Sequence, residues 1–176
     1  MNELYRNMLE AYDLTTAQDV RNATFEVNQQ IILSGLAQGG FFDVAAFYGG
    51  TCLRVFHGLQ RFSEDMDFSL LVKDERFDFT RYFQPIMDEF ALVGRRVEIK
   101  KKEKKNFGRV ESAFLKDNTD VYDISFQTER SVKIKMRLIH ALLFVLTPNC
   151  ACFFSLALLW RDASPCLVCL QVKCML

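Results

Sequence analysis

The sequence predicts an α/β or α+β domain in which helices pack on a sheet. Three observations lead to this prediction: two early stretches with helical periodicity, a short apolar run followed by a helix and an alternating strand, and a strand-like stretch after a third helix. The length of 176 residues predicts one domain. The formal net charge is zero, so no global charge excess indicates nucleic acid as a partner.

Besides a short helix near Thr51, three helices are predicted in the first 92 residues of the chain. The first includes residues 4–9, where leucine and methionine recur on one face. The second ends before a Gly-Gly pair, and Thr15 or Thr16, with Asp19 downstream, is its N-cap. The third covers about residues 79–92 and is followed by a glycine. The apolar face of the second helix consists of Phe25, Val27, Ile31, Ile32, Leu33 and Leu36.

A short buried strand is predicted from the apolar run at residues 44–48. Gly49 and Gly50 end this run, and a helix is predicted to begin near Thr51 and to stop at a His-Gly pair. Glycine lets backbone N–H groups approach a phosphate because it has no Cβ, and a helix N-terminus adds a partial positive charge. The Gly-Gly turn is therefore a candidate phosphate-binding site.

The next strand alternates between a polar face and an apolar face. Asp65 and Asp67 lie on the polar face with Ser69, and carboxylates at this spacing suit Mg²⁺ bound to substrate phosphates. Alone, a Gly-Gly pair or a D-x-D pair is usually an ordinary turn or strand edge. In the order strand, Gly-Gly, helix, D-x-D strand, they predict one site for nucleotidyl transfer. The apolar face consists of Met66, Phe68 and Leu70.

These residues resemble a known family. The motif Gly-Gly-Thr, followed by Arg-x-Ser-x-Asp-x-Asp-Phe, resembles the AbiEii/AbiGii nucleotidyltransferase toxins of type IV toxin-antitoxin systems, a branch of the DNA polymerase β-like superfamily. The resemblance extends to about Met136. It implies a polymerase β-like core with a mixed sheet flanked by helices, an NTP substrate with Mg²⁺, and transfer of a nucleoside monophosphate to an acceptor, which for some relatives is tRNA.

The resemblance also assigns roles to individual positions. Asp65 and Asp67 are expected to be the catalytic residues and the metal ligands. Arg61 matches the family motif, although it could equally be an ordinary surface arginine. Lys133 and Lys135 share a strand face and could approach the triphosphate, although exposed lysines are common on half-buried strands. The expected nucleotide-binding residues are Gly49, Gly50, Thr51, Arg61, Ser63, Lys133 and Lys135.

The expected partners are the NTP, an RNA (tRNA) or other macromolecular acceptor and a cognate antitoxin. A run of seven basic residues within 95–105 could contact RNA, or could be the exposed face of a hairpin. Two other functions stay open: a non-catalytic nucleotide-binding remnant, and a small-molecule nucleotidyltransferase of the antibiotic-modifying type, which uses the same motifs. The N-terminal segment carries acids and no apolar signal region, so a cytoplasmic location without a membrane is expected.

The composition changes abruptly towards the C-terminus. We predict a catalytic core at residues 1–137 and an aberrant apolar tail at residues 138–176, which contains one acidic residue and five of the six cysteines. Three interpretations of the tail stay open. Residues 141–160 could span a membrane, although Pro148 and Asn149 interrupt them. The cysteines could bind zinc, although their spacing matches no ordinary structural site. Finally, the tail could be an out-of-frame translation.

The sequence favours the out-of-frame interpretation. Permissible codons for Met136 to Leu142, read in a shifted frame, give E-I-D-T-R-S-P, which resembles the next strand of the family. The same frame applied to residues 161–175 resembles the start of the family's lysine-containing second motif. Sites of this type use a third carboxylate from the strand beside the D-x-D strand, and the chain departs from the family at that strand. Asp123 and Glu129 are the nearest remaining acids, so we expect a truncated core with impaired activity.

Overall fold

The computed structural model describes residues 2–102, 119–127 and 132–140. Helices and a five-stranded sheet make up the regular structure of these residues. The helices are α1 (Glu3–Glu10), α2 (Ala17–Gln38), α3 (Gly49–His57) and α4 (Phe83–Leu92). The strands are β1 (Ala45–Tyr48), β2 (Met66–Leu70), β3 (Val97–Lys101), β4 (Thr119–Phe126) and β5 (Lys133–Ile139).

The sheet is mixed, and its strands lie in the order β1-β2-β5-β4-β3. β2 and β5 run parallel, whereas the other neighbouring pairs are antiparallel. This arrangement confirms the predicted fold class, a mixed sheet with flanking helices. It also places β5 beside the strand that carries the D-x-D motif, with Asp67 opposite Arg137. Side chains on the polar face of β5 therefore lie next to the two carboxylates.

The prediction for the second helix is confirmed in its cap and in its buried face. Thr16 is the N-cap of α2, and its hydroxyl accepts a hydrogen bond from the backbone N–H of Asp19 at 3.1 Å. The Asp19 carboxylate in turn accepts the backbone N–H of Thr16 at 2.9 Å, which completes a capping box. All six apolar residues predicted to face the core are buried. The long helix α2 is thereby fixed at its start and along its length.

Aromatic side chains fill the core between the helices and one face of the sheet. The ring centroid of Phe41 lies 5.3 Å from that of Phe68 in β2 and 4.9 Å from that of Tyr82. Phe90 of α4 contacts Phe126 of β4 edge to face. Because successive side chains of a strand point to opposite faces, this packing leaves the D-x-D carboxylates on the other, more open face of the sheet.

Two helices begin at residues other than those predicted. α3 begins at Gly49, two residues before the predicted Thr51, because the two glycines themselves form its first turn. The third predicted helix begins as a 3₁₀ turn at Phe79–Tyr82, and α4 follows from Phe83. The predicted stop of α3 is confirmed, since Gly58 has φ 64° and ends the helix.

β5 extends to Ile139 and therefore crosses the predicted domain boundary between residues 137 and 138. Leu138, Ile139 and His140 are all buried. Residues 141–176, which include the possible membrane span and the five tail cysteines, lie outside the described residues. Within the described ranges, no helix combines the length and the apolar character needed to cross a bilayer.

Candidate active site

The candidate site lies where β1 ends, α3 begins and β2 passes beside them. Tyr48 of β1 lies opposite Asp67 of β2, so the next residue, Gly49, lies beside that carboxylate. A Cβ atom on Gly49 would lie 2.7 Å from Asp67 Oδ2. Gly49 also has φ 83°, a conformation that residues with a side chain rarely adopt. The structure therefore brings the Gly-Gly turn and the D-x-D motif into direct contact, and that contact requires glycine.

The first turn of α3 provides backbone hydrogen-bond donors beside this contact. Gly49, Gly50 and Thr51 form the turn, and the N-cap residue Tyr48 makes no capping hydrogen bond with its side chain. The first N–H groups of a helix have no partner within the helix, and the helix dipole adds a partial positive charge at this end. The turn therefore has the donors and the polarity that a phosphate group needs.

The side chain of Thr51 is occupied within the protein. It is 1% exposed, and its hydroxyl donates a hydrogen bond to the backbone oxygen of Asp65. The same hydroxyl oxygen lies 3.0 Å from Ser63 Oγ. The Thr51 side chain thus positions Ser63 and Asp65 at the start of β2. The predicted contact of Thr51 with a triphosphate would therefore be made by its backbone N–H and not by its side chain.

Two side chains that the sequence patterns did not single out hold the segment between α3 and β2. Gln29 of α2 donates from Nε2 to the carbonyl oxygens of Ser63 and Glu64, at 3.0 and 3.1 Å. Arg54 of α3 donates from Nη1 to the carbonyl oxygens of residues 59 and 60, at 3.0 and 2.8 Å. The signal for Gln29 was a polar residue between Val27 and Ile31, which belong to the apolar face of the second predicted helix. Both contacts fix the backbone that leads to Asp65.

The two motif residues in this segment have different surroundings. Ser63 is half-buried beside the glycine turn, where a Cβ on Gly50 would lie 3.1 Å from Ser63 Oγ. Arg61 is exposed. The structure therefore brings Ser63 together with Gly50 and Thr51, and leaves Arg61 at the surface near them.

Asp65 and Asp67 share the open face of the sheet, and both contact cations of β5. Arg137 Nε lies 2.6 Å from Asp67 Oδ1, and its Nη2 lies 3.0 Å from Asp67 Oδ2. The same Nη2 is 3.6 Å from Asp65 Oδ2, and Lys135 Nζ is 3.5 Å from Asp65 Oδ1. Arg137 was not among the predicted site residues, although period two places it on the same strand face as Lys133 and Lys135.

Asp67 also affects the pKa of the groups around it. Its hydrogen bond with Arg137 raises the pKa of that guanidinium, and burial opposes this effect. Burial, followed by the negative charge of Asp67, raises the pKa of Tyr48 to about 12. At neutral pH Arg137 is therefore charged and Tyr48 is neutral. The charge of the site is set by the carboxylates of Asp65 and Asp67 and by two cations of β5, Lys135 and Arg137.

Asp123, one of the two nearest remaining acids, lies far from the D-x-D pair. It is in β4, opposite Lys135, and β5 separates it from β2. Two strand spacings amount to about 10 Å. Its Oδ2 instead lies 2.8 Å from Lys102 Nζ. Glu129 lies outside the described residues. Among those residues, no group of three or more His, Cys, Asp or Glu side chains could hold a metal ion.

The basic run that could contact RNA is largely engaged within the protein. Arg95 is 8% exposed, and its guanidinium carbon lies 4.3 Å from the ring centroid of Tyr5 and 4.7 Å from that of Phe126. The three described lysines of the basic run each pair with an acid, and Lys104 and Lys105 lie outside the described residues. These pairs lower the positive charge available to a nucleic acid. They are Lys100–Glu98, Lys101–Asp120 and Lys102–Asp123.

The match to a protein family covers the elements that form this site. Residues 31–140 match the family described as nucleotidyl transferase AbiEii toxin, Type IV TA system. The match spans more than half of the chain. The chain belongs to this family. The AbiEii assignment confirms the predicted resemblance, and it makes the chain a member of a nucleotidyltransferase toxin family.

Two solved structures are also similar to the chain. MenT4, a nucleotidyltransferase toxin from Mycobacterium tuberculosis, shows 19% identity and a TM-score of 0.48 over 78% of this chain and 44% of its own. A candidate nucleotidyltransferase from H. pylori shows 18% identity and a TM-score of 0.42 over 68% of this chain and 45% of its own. The chain therefore spans less than half the length of either protein. None of the curated proteins compared with the chain matches it.

Proposed function

We propose that this chain carries the nucleotide-binding half of a nucleotidyltransferase toxin site, whose reaction transfers a nucleoside monophosphate from an NTP to an RNA acceptor such as tRNA. The observation that supports this proposal best is the contact between the Gly49 turn and Asp67, where a Cβ would lie 2.7 Å from the carboxylate. A phosphate-binding turn and a pair of carboxylates in contact are the parts that nucleotidyl transfer needs in one place.

Each part of the site has a proposed role. The N–H groups of Gly49, Gly50 and Thr51 hold the triphosphate at the N-terminus of α3. Ser63 and Arg61 adjoin this turn, and Lys133 and Lys135 line the open face of β5 beside it. Thr51 and Gln29 act as positioning residues, because their contacts fix the backbone of residues 63–65.

Mg²⁺ is the ion that the D-x-D motif implies, and bound there it would polarise the phosphate and stabilise developing charge. The described residues do not fit it as they stand. Asp65 and Asp67 both contact cations of β5, and no third carboxylate joins them in the part of the chain that the structure describes. We therefore assign Mg²⁺ only to a form of the protein in which β5 supplies a carboxylate, and we propose that transfer by this chain is impaired.

A second function, a non-catalytic nucleotide-binding module, is favoured by the same contact of Arg137 with Asp67. A module of this kind keeps the glycine turn but lacks a free pair of carboxylates. No described feature favours the small-molecule nucleotidyltransferase over either of these. The family is described as the toxin of a type IV toxin-antitoxin system, so we propose a cognate antitoxin as a further partner.

Label transfer tests the proposed function. The chain and a version whose reading frame is restored after Lys135 are each incubated with total RNA and with NTP labelled at the α or the γ phosphate. We expect α label to enter RNA with the restored version and little label with the present chain. Strong labelling by the present chain would refute the impairment. If the restored version folds but neither transfers label nor binds NTP, the proposed function is wrong.

A further inference from the structure

The two carboxylates of the D-x-D motif have a cation of the protein itself where a metal ion is expected. We propose that Arg137 is a built-in counterion of the Asp65–Asp67 pair, and that it keeps divalent cations out of the site. This inference rests on the proposed function, because it concerns the metal requirement of the same site. It goes beyond that function because it names Arg137 as the residue that excludes divalent cations from the site.

The geometry of the contact is that of a specific pair. The parallel register of β2 and β5 places Arg137 opposite Asp67. Nε and Nη2 of the guanidinium contact the two oxygens of Asp67, at 2.6 and 3.0 Å, which is the two-pronged arrangement that arginine forms with carboxylates. The Asp67 side chain is only 15% exposed, so water screens the pair less than it screens a surface pair.

The same guanidinium reaches the second carboxylate. Arg137 Nη2 lies 3.6 Å from Asp65 Oδ2, and Lys135 Nζ lies 3.5 Å from the other oxygen of Asp65. The two negative charges of the motif are thus balanced by two positive charges of β5. A neutral cluster does not attract a divalent cation as two free carboxylates would, and an incoming ion would also have to displace the hydrogen bonds of Arg137.

The strand register makes position 137 decisive. Any residue there lies directly opposite Asp67, because Asp67 and residue 137 are paired across β2 and β5. A carboxylate at this position would convert the neutral cluster into one with three acids on adjacent strands. A neutral side chain would only remove the contacts of Arg137 with the two aspartates. Both R137E and R137Q should therefore raise the affinity of the site for a divalent cation, and R137E should raise it more.

The test measures metal binding without nucleotide. Mn²⁺ is titrated into the full chain, and free Mn²⁺ is followed by electron paramagnetic resonance. We expect R137E to bind Mn²⁺ at least about tenfold more tightly than the unaltered chain, since one unit charge a few ångströms from a divalent ion has an effect of this order even in a water-like dielectric. R137Q should lie between them. R137E combined with D67N should lose the gain.

R6E is the matched control. Arg6 is exposed in α1, which forms no part of the candidate site, and its replacement by glutamate changes the net charge of the protein by the same amount. R6E should bind Mn²⁺ within about twofold of the unaltered chain, because its effect is limited to screened, long-range charge. An equal gain in R6E and R137E would show that net charge, not Arg137, governs the site.

Further outcomes also test the proposal that Arg137 is a counterion. Circular dichroism shows which variants fold, and if R137E is unfolded, R137Q against the unaltered chain gives the answer. If the unaltered chain binds Mn²⁺ as tightly as both variants and D67N abolishes that binding, the inference is wrong. Labelled NTP titrated into the same proteins separates the two proposals: NTP binding without a gain in Mn²⁺ affinity overturns the counterion alone, and a gain in Mn²⁺ affinity without any NTP binding overturns the proposed function alone.

Discussion

Replacing Gly49 by alanine should cost more stability than the same change at Gly58. Both glycines have positive φ, 83° and 64°, so alanine is strained at either position. That strain is about 1–2 kcal/mol for a residue with a side chain. The surroundings differ: a Cβ on Gly58 would meet nothing within 4 Å, whereas a Cβ on Gly49 would lie 2.7 Å from Asp67 Oδ2.

The extra cost at Gly49 follows from the contacts of Asp67. To make room for a Cβ, the carboxylate must move away from the position in which Arg137 contacts both of its oxygens. Charge-assisted hydrogen bonds are individually worth about 1.5–3 kcal/mol, and partial exposure of this pair reduces that value. We therefore expect the free energy of unfolding of Gly49→Ala to be about 1–2 kcal/mol below that of Gly58→Ala.

Urea unfolding followed by circular dichroism measures the difference, and a double-mutant cycle shows its origin. In an Asp67→Ala background the carboxylate oxygens are absent, and the nearest remaining atom, Asp67 Cβ, is 3.4 Å from the added Cβ. Gly49→Ala and Gly58→Ala should then cost the same. Equal costs in the unaltered background would refute the contact between the glycine turn and the D-x-D motif.

Three further predictions follow from other contacts. Thr51→Val should lower the free energy of unfolding by about 1–3 kcal/mol, because it leaves the backbone oxygen of Asp65 without its buried donor, while Thr51→Ser keeps the hydroxyl and should cost less; urea unfolding of both variants checks this, and equal costs would contradict it. Burial of Asp120 favours its neutral form, but the hydrogen bond and charge of Lys101 and the contact with His140 lower its pKa overall, so its stabilising contribution is present above about pH 4 and is lost as the pH falls through the lower pKa of the folded state. Asp120→Asn should therefore show a smaller loss of stability on acidification than the unaltered chain, measured as urea midpoints at a series of pH values, and an unchanged slope would contradict this. Finally, a chain that ends at His140 should be at least as soluble as the full chain, because it keeps all of β5 and removes the apolar tail; recovery of the full chain in floated membrane vesicles, with the shorter form in the soluble fraction, would instead support a membrane anchor.

The sequence predicted the local part of the site because its pieces are consecutive in the chain. β1, α3 and β2 follow one another between residues 45 and 70. Apolar runs, glycines and period-two alternation are signals that act over a few residues, and they identified the turn and the carboxylates. The capping box of α2 was equally local, since Thr16 and Asp19 are one helical turn apart.

The contact of Arg137 with Asp67 could not be predicted in the same way. The two residues are 70 positions apart, and their contact depends on β5 lying beside β2 rather than beside β1 or β3. Strand order is set by the packing of the whole domain, which no short pattern records. The burial of Arg95 between Tyr5 and Phe126 is a similar case, because those rings come from α1 and β4.

The central claim is that the Gly49 turn binds a triphosphate, and nucleotide binding tests it most directly. A fluorescent NTP analogue is titrated into the unaltered chain, Gly49→Ala and Gly58→Ala, at a temperature where circular dichroism shows all three folded. Gly49→Ala should lose at least about tenfold in affinity, because the added Cβ disturbs the first turn of α3, whereas Gly58→Ala should bind as the unaltered chain does. Inorganic triphosphate should displace the analogue, and a nucleoside should not. Equal affinity of the two alanine variants, or displacement by the nucleoside alone, would contradict the assignment of this turn as the phosphate site.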